Sequence, residues 1–280
     1  MVFHLGTALI YRLVTPTALT IHLHDPHMPN VLIEEKNSRV TILTLNRPER
    51  RNALTIELLT ELTDALDRVA ADSQKRVLIL RGAGKVFCAG LDLNETTVSE
   101  RAHRSAEMVA KTLLAISQTR LITIAQVHGA ALAGGAGLMS ACDFVVAAED
   151  TKIGYPETRR GLVAALVLTF LRRQLRERDI RELLFTAELI EAERAREIGL
   201  VNRVVPPNEL ENETQRIVAA VLQGAPGALA STKKLIEALS SSSVQEDIER
   251  ALRHHMEARE SVEAREGIAA FLEKRLPNWT

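Results

Sequence analysis

The sequence has few aromatic residues and almost no net charge. Phe, Trp and Tyr make up 3% of the 280 residues, so few rings are available to stack on nucleobases. The formal net charge is −1, which leaves no basic excess for binding a polyanion. These two shortages disfavour nucleic acid, and RNA in particular, as a partner.

Cysteines and long apolar runs are also scarce. Cys88 and Cys142 are the only cysteines, and both stand in apolar surroundings. Such residues are typical of reduced core thiols, so we expect no disulfide and a reducing, cytoplasmic compartment. No segment approaches the roughly 20 uninterrupted apolar residues of a membrane helix, so we expect no membrane partner.

Residues 1–30 differ in character from the rest of the chain. They are apolar with one Arg, lack a clear signal-peptide cleavage site, and end in His22, His24 and His27. We interpret them as a poorly ordered extension. The histidine cluster is compatible with a metal ligand set, but in a tail with two nearby prolines we favour the first interpretation and predict no metal site.

Hydrophobic patterning predicts an α/β core over residues 31–205. Apolar and polar residues alternate around Asn37-Ser38 as in a β-hairpin, and a strand-helix-strand succession then predicts parallel pairing. The predicted elements, in chain order, are strands 31–34 and 40–45, helix 55–71, strand 77–82, helix 100–119, strands 121–127 and 144–148, and a charged helix 172–185.

Residues 206–280 contain helical patterns and no predicted strand. The predicted helices are 208–223, 226–240 and 244–273, with the serines at 240–243 as a flexible joint. His103, His254 and His255 lie in polar helical patterns and are predicted to face solvent. Because a purely helical tail needs a surface to pack against, we expect this region to mediate homo-oligomerisation.

Residues 121–157 have the features of an active site. The apolar strand stops at His128-Gly129, and a helix is predicted to start within residues 130–142, which are mostly small. Gly134, Gly135 and Gly137 each weaken a helix by about 1 kcal/mol relative to Ala, so they require a reason. Close packing of helix on sheet is one reason, and access of bare N–H groups to a developing negative charge is another. On these residues alone, both explanations stand.

Several segments together resemble the crotonase (enoyl-CoA hydratase/isomerase) family, in family order and spacing from about residue 31 to 275. They are Asn46-Arg47-Pro48 with Asn52-Ala53-Leu54, Phe87-Cys88-Ala89-Gly90-Leu91-Asp92-Leu93, His128-Gly129 leading to Gly134-Gly135, Cys142-Asp143 and Pro156-Glu157. The resemblance implies a core of repeated β-β-α units, a helical C-terminal trimerisation region, and an acyl-CoA substrate. It implies no cofactor beyond coenzyme A as part of that substrate.

The resemblance also implies the residues of the site. In the family two backbone N–H groups bind the thioester oxygen, and the matching positions are Leu91 and Gly134. Glu157 matches a catalytic acid/base, although by itself it would be interpreted as a surface acid. The positions implied in coenzyme A binding are Ala53, Ala89, Asp92, Leu93, Phe271 and Lys274. Without the resemblance, the last two would be interpreted as part of a solvated helix end.

One position departs from the family pattern. Two-carboxylate hydratases of the family carry a Glu where this chain has Gly137, and only Glu157 is retained. Relatives without the first Glu include Δ3,Δ2-enoyl-CoA isomerases and hydratases of branched or carboxylated enoyl-CoAs. We expect hydration or double-bond migration with Glu157 as the single acid/base group. An acyl-CoA-binding or scaffolding protein with little catalysis is the alternative. The glycine run matches neither a dinucleotide fingerprint nor a phosphate loop, so NAD and ATP are not indicated.

Overall fold

Residues 32–95 and 99–279 are described in this computed structural model, and they form a main sheet covered by helices on both faces. The strands of the main sheet are β1 (Leu32–Lys36), β2 (Val40–Leu45), β3 (Val77–Gly82), β4 (Ile122–Val127), β6 (Phe144–Ala148) and β9 (Arg203–Val205). A smaller sheet contains β5 (Ala130–Leu132), β7 (Lys152–Gly154) and β8 (Ile190–Glu191). The extension predicted over residues 1–30, with its histidine cluster, lies outside the described residues.

The helices complete the predicted α/β architecture. They are α1 (Ile56–Ala71), α2 (Ser99–Gln118), α3 (Gly134–Ser140), α4 (Ala165–Gln174), α5 (Glu177–Thr186), α6 (Ala192–Glu197), α7 (Leu210–Gln223), α8 (Pro226–Ala238), α9 (Val244–Arg259) and α10 (Val262–Glu273). Helix α1 starts where predicted, because the Thr55 side chain accepts a hydrogen bond from the Leu58 N–H at 3.2 Å.

The strand order of the main sheet is β1-β2-β3-β4-β6-β9. Strands β1 and β2 pair antiparallel, which confirms the predicted hairpin, and the remaining neighbours pair parallel, as predicted. Since parallel strands point their carboxyl ends to the same edge, the loops that follow β2, β3 and β4 meet there. This edge carries the residues of the motifs.

Both faces of the main sheet are buried. Leu43 and Leu80 pair across β2 and β3 and belong to the larger hydrophobic core with α1 and α2. Ile79 faces the other way and packs in a second cluster with Val218 of α7. Burial on both faces explains why β3 begins with four successive apolar residues and why every residue of β4 is buried. Cys88 and Cys142 are buried free thiols, as predicted.

One strand was not predicted, and two predicted helices are each divided in two. The glycine-led helix starts at Gly134, within the predicted residues 130–142, but residues 130–132 form a strand, because Ala131 pairs with Ile153 and bridges to Cys88. The charged helix 172–185 is divided between α4 and α5 by the extended residue Leu175. The helix 244–273 is divided between α9 and α10, because the Ser261 side chain caps α10 by accepting from the Ala264 N–H at 3.0 Å.

The C-terminal region is helical, as predicted. Helix α7 packs on β4 and β6, α9 packs on α4 and α2, and α10 packs on the 3₁₀ turn Thr158–Arg160. Helix α8 buries none of its residues. The division of the chain at residue 205, its cytoplasmic location and a role of this region in oligomers stay predictions. Among the described helices, none is long and apolar enough to cross a membrane.

Candidate active site

The buried side chain of Asn52 joins the loops that follow β2 and β3. Its Oδ1 accepts from the Arg47 N–H at 2.9 Å, and its Nδ2 donates to the carbonyls of Ala83, Val86 and Phe87 at 2.9, 2.9 and 3.1 Å. Asn52 has φ 55, a left-handed conformation that Asn adopts more readily than most residues. The hydrogen bonds of Asn52 therefore hold in place the segment that leads to Leu91.

Leu91 lies in an extended segment bridged to Leu54. The Leu54 N–H donates to the Gly90 carbonyl at 2.8 Å, and the Asp92 N–H donates to the Leu54 carbonyl at 2.9 Å. Neighbouring residues of an extended segment direct their amides to opposite sides. The Leu91 N–H therefore points away from Leu54.

The first residue of α3 lies beside this segment. A β-carbon built on Gly90 would be 3.5 Å from the nitrogen of Gly134, and one built on Gly134 would be 4.0 Å from the nitrogen of Leu91. The Gly134 N–H belongs to the first helical turn, where amides have no acceptor within the helix. The two backbone donors that the resemblance implied are thus neighbours in space.

Ala133, which precedes Gly134, has a strained backbone. Its φ is 50 and its ψ is −124, a region that residues with a side chain rarely occupy. Such a conformation costs roughly 1–3 kcal/mol and is usually found where surrounding structure enforces it. Here the Ala133 N–H donates to the Gly154 carbonyl at 2.9 Å. This backbone conformation of Ala133 sets the direction of α3 and of the Gly134 N–H group.

The three glycines of α3 are required for different reasons. A β-carbon on Gly135 would be 2.5 Å from the Cys88 carbonyl oxygen, and one on Gly137 would be 2.5 Å from Cγ1 of Val167. A β-carbon on Gly134 would meet nothing nearer than Cδ1 of Leu54, at 3.3 Å. Close packing therefore accounts for Gly135 and Gly137 and does not account for Gly134.

Glu157 starts the turn Thr158–Arg160 and is partly exposed as a residue, but its carboxylate oxygen Oε2 is buried. Among the described residues, that oxygen has no hydrogen-bond partner. Burial raises the pKa of Glu157 to about 7, against the lowering effects of its own backbone N–H and the charge of Arg160. Both protonation states are therefore populated near neutral pH.

One cavity collects most of the predicted site residues. One side of its wall is apolar and consists of residues 162–167 with Val109. The predicted residues on its wall are Ala89, Leu91, Leu93, Gly134, Glu157 and Phe271. The arrangement places two backbone donors, one carboxyl group and an apolar surface around one space.

Three predicted coenzyme A contacts do not line this cavity. The Ala53 carbonyl accepts from Nη1 of Arg47 at 2.5 Å, and the Asp92 carboxylate pairs with Nη2 of Arg47 at 3.3 Å. Lys274 is exposed and ends α10 with φ 56. Their roles in binding coenzyme A stay predictions, and the first two have a structural role.

The prediction that His255 faces solvent was wrong. Its exposed fraction is 7%, and its Nδ1 lies 3.4 Å from the Val163 carbonyl oxygen on the cavity wall. Burial, helped by the positive charge of Arg259, lowers the pKa of His255 to about 4. The spacing in the sequence indicates that His255 is buried, because it follows the buried Ile248 by two helical turns and so lies on the same face of α9.

Arg160 is a second cavity residue that the sequence did not indicate. Its guanidinium carbon lies 4.3 Å from the centre of the Phe271 ring, and Nη1 donates to the Pro156 carbonyl at 3.3 Å. The cation–π contact joins the turn after Glu157 to α10. Within residues 32–95 and 99–279, no group of three or more His, Cys, Asp or Glu side chains is arranged to hold a metal ion.

Comparisons with known proteins agree with the motifs. The family model described as enoyl-CoA hydratase/isomerase matches residues 35–280. A putative enoyl-CoA hydratase of Thermus thermophilus is 37% identical over 253 residues, which cover 89% of this chain and 100% of that protein. A crotonyl-CoA hydratase of Syntrophomonas wolfei is 35% identical. The match covers 89% of this chain and 97% of that protein.

A solved structure agrees as well. The crystal structure of an enoyl-CoA hydratase from Mycobacterium avium superposes with a TM-score of 0.79 at 35% identity, over 90% of this chain and 100% of that one. The fold and the sequence thus lead to the same assignment that the motifs predicted. The chain belongs to the enoyl-CoA hydratase/isomerase family of enzymes, the crotonase family.

Proposed function

We propose that the protein transfers protons next to the thioester of an enoyl-CoA, as a hydratase or a double-bond isomerase, with Glu157 as its single acid/base group. The observation that carries this proposal is the position of Leu91, Gly134 and Glu157 on the wall of one cavity. The names of the relatives support an acyl-CoA substrate. Coenzyme A is then part of the substrate, and no other cofactor is required.

The two backbone donors suit the charge that this chemistry develops. When a proton leaves the carbon beside a thioester, or a nucleophile adds to the conjugated double bond, negative charge moves to the thioester oxygen. Preorganised donors at such an oxygen contribute roughly 3–4 kcal/mol each. Leu91 and Gly134 act through backbone N–H groups, so the Leu91 side chain is free to form the apolar wall.

Glu157 has the properties of a proton carrier. With a pKa of about 7 it can take a proton and return one at neutral pH. In double-bond migration it would take a proton from C2 and return it to C4, so one carboxyl group is sufficient. In hydration it would also have to activate the water that adds at C3. Among the described residues that line the cavity, Glu157 is the only acid.

A panel of enoyl-CoA thioesters, assayed for both hydration and double-bond migration, tests this proposal. In Glu157→Gln, which keeps the side-chain volume, kcat should fall by about 10²–10⁴-fold. Glu149→Gln, at an exposed turn, is the matched control and should retain activity. Retention of more than a tenth of wild-type activity by Glu157→Gln would contradict the role of Glu157. Acyl-CoA binding without turnover of any thioester would favour the binding or scaffolding alternative.

A further inference from the structure

Tyr155 is a fully buried residue two positions before Glu157. Its exposed fraction is 0%, and its ring belongs to the larger hydrophobic core. Its hydroxyl oxygen lies 3.2 Å from Oγ of Ser140, which is the last residue of α3 and is also buried. A phenylalanine would fill the same apolar space, so the buried hydroxyl requires a reason of its own. The contact joins the segment that carries Glu157 to the helix that begins with Gly134.

The direction of this hydrogen bond follows from the second contact of Ser140. The Ser140 hydroxyl donates to the Ala136 carbonyl at 2.8 Å, and it has a single hydrogen. Tyr155 is therefore the donor of the 3.2 Å bond, and Oγ of Ser140 is the acceptor. Burial, helped by the negative charge of Glu157, raises the pKa of Tyr155 against the lowering effect of Ser140, so the phenol keeps its hydrogen.

Both ends of α3 are tied to the segment around Tyr155. At the start, the Ala133 N–H donates to the Gly154 carbonyl at 2.9 Å. At the end, Tyr155 donates to Ser140. A helix of this length spans about 10 Å, so a tie at one end alone would allow it to tilt, whereas ties at both ends fix its direction. The direction of α3 is therefore set by the segment that leads to the acid.

We infer that Tyr155 is a positioning residue for the reaction. Its hydrogen bond to Ser140 sets where the Gly134 N–H lies relative to the carboxyl group of Glu157. The inference rests on the proposed function, which gives those two groups their roles, and adds a residue that does not itself line the cavity. Pro156 is the single residue between Tyr155 and Glu157, and its ring fixes φ at about −65°, so a shift of the tyrosine is passed to the acid.

A small error of position is costly at such a site. Hydrogen bonds to the thioester oxygen stabilise its developing charge only where the donors are aligned with it. A misplacement of about 1 Å can lower a rate about 10²-fold, so loss of one tie, which permits a smaller movement, should cost about tenfold. Binding of the substrate in its ground state depends on the whole acyl-CoA, so KM should change little.

Tyr155→Phe tests the inference. It removes the phenol hydroxyl, while the Ser140 hydrogen keeps its acceptor, the Ala136 carbonyl. At a temperature well below unfolding, kcat on the best enoyl-CoA should fall about tenfold, with KM within about twofold of wild type. Ser140→Ala should lower kcat to the same extent. The double variant should be no slower than either single variant, because all three lose the same hydrogen bond.

Thr63→Val is the matched control. Thr63 is buried in α1, and its Oγ1 lies 3.0 Å from Oγ1 of Thr112 in α2, so it belongs to another pair of buried hydroxyl groups. Neither threonine lines the cavity. The substitution should lower the melting temperature by a few degrees, as Tyr155→Phe does, and leave kcat unchanged. A loss of activity caused by lower stability alone would appear in both variants.

The thioester carbonyl of a bound saturated acyl-CoA reports the two backbone donors without turnover. The probe is the saturated acyl-CoA that binds most tightly in a series of chain lengths, isotopically labelled at the thioester carbonyl. Hydrogen bonds from the Leu91 and Gly134 amides polarise this carbonyl and lower its infrared stretching frequency in wild-type protein. In Tyr155→Phe the lowering should be smaller, and in Thr63→Val it should equal that in wild type.

A wild-type kcat or a wild-type thioester frequency in Tyr155→Phe would overturn the inference. Equal losses of kcat in Tyr155→Phe and Thr63→Val would overturn it as well. So would effects of Tyr155→Phe and Ser140→Ala that multiply in the double variant, because the two residues would then act separately.

The proposed function fails separately. If wild-type protein lowers the thioester frequency but turns over no enoyl-CoA, the proposed function is wrong, and the frequency in Tyr155→Phe alone decides whether Tyr155 positions the Gly134 N–H. Failure of every acyl-CoA to bind would overturn both.

Discussion

Val167 fills the space in which a side chain at Gly137 would begin. A β-carbon built on Gly137 would be 2.5 Å from Cγ1 of Val167 and 3.8 Å from Cδ2 of Leu113. All three residues are buried. Position 137 is the one at which the resemblance places the first Glu of two-carboxylate hydratases. In this protein apolar packing replaces that acid, and Val167 also lines the cavity.

Restoring the acid at position 137 should destabilise the protein unless Val167 is reduced as well. Gly137→Glu should lower the free energy of unfolding by about 1–3 kcal/mol through overpacking, and by more if the carboxylate is left unpaired. In the double variant with Val167→Ala, the loss of unfolding free energy should be smaller than the summed losses of the two single variants by at least about 0.5 kcal/mol. Urea unfolding measures both quantities.

The control for this experiment is Gly227→Glu in α8, where an added β-carbon meets nothing within 4 Å. It should leave stability unchanged or raise it slightly, because Gly is a poor helix former. Equal unfolding free energies for the variants at positions 137 and 227 would show that Val167 does not restrict position 137.

Neighbouring glycines of α3 should respond differently to the same methyl group. Gly134→Ala places the methyl 3.3 Å from a Leu54 methyl and 4.0 Å from the Leu91 nitrogen, where the thioester oxygen would bind. We expect kcat/KM to fall by about 10²-fold, as for loss of one oxyanion donor, with a small change in melting temperature. Gly135→Ala meets the Cys88 carbonyl and should lower the melting temperature.

Enzyme kinetics and thermal unfolding of the same two preparations compare these effects. Near-normal kcat/KM in a destabilised Gly134→Ala protein would mean that packing, rather than access of the N–H group, requires Gly134.

Burial of Glu157 should give the protein a specific pH dependence of stability. Its pKa is raised from an ordinary value of 4.5 to about 7, so between these values the folded protein binds more protons than the unfolded chain. Stability relative to Glu157→Gln should therefore fall as pH rises through this window, by at most about 3 kcal/mol. The lowered pKa of His255 acts in the opposite direction, but it is common to both proteins and cancels.

Denaturant unfolding of wild type and Glu157→Gln from pH 4 to pH 8.5 checks this difference. Parallel stability curves would mean that the Glu157 carboxyl group is hydrated in the folded protein.

Local signals in the sequence predicted much of the fold. Thr55 marks the start of α1, and the apolar runs of β3 and β4 end at the predicted residues within one position. These features depend on neighbours in the chain. The strand β5 was missed because its partners are Cys88 and Ile153, which are distant in sequence. Pairing with distant residues overrides local helix patterning, and no local pattern reports it.

The site was predictable to a similar degree. Leu91, Gly134 and Glu157 follow motifs, and they lie on one cavity. The contact of Val167 with Gly137 and the stacking of Arg160 on Phe271 were not predictable, because each joins segments that only the folded chain brings together.

Exposed apolar side chains on the C-terminal helices should mediate assembly. Helix α8 exposes Leu235 and Ile236, and Leu239 follows at its end. Neighbouring exposed apolar side chains are typical of interaction surfaces, so we expect a trimer or a dimer of trimers. Ile236→Glu combined with Leu239→Glu should give a smaller species, whereas Phe185→Glu, exposed on α5, should not. Mass measurement in solution at micromolar concentration decides, and a folded wild-type monomer would contradict the prediction.

The buried amide of Asn52 makes the site sensitive to chemical ageing. Its Nδ2 faces three carbonyl oxygens, those of Ala83, Val86 and Phe87. Deamidation would exchange this nitrogen for oxygen and produce an Asp that only accepts hydrogen bonds. A negative oxygen would then face three carbonyl oxygens in a fully buried position. A change of one functional group would release the loop that holds the Leu91 amide. The lifetime of activity would then depend on how well the fold shields Asn52 from water.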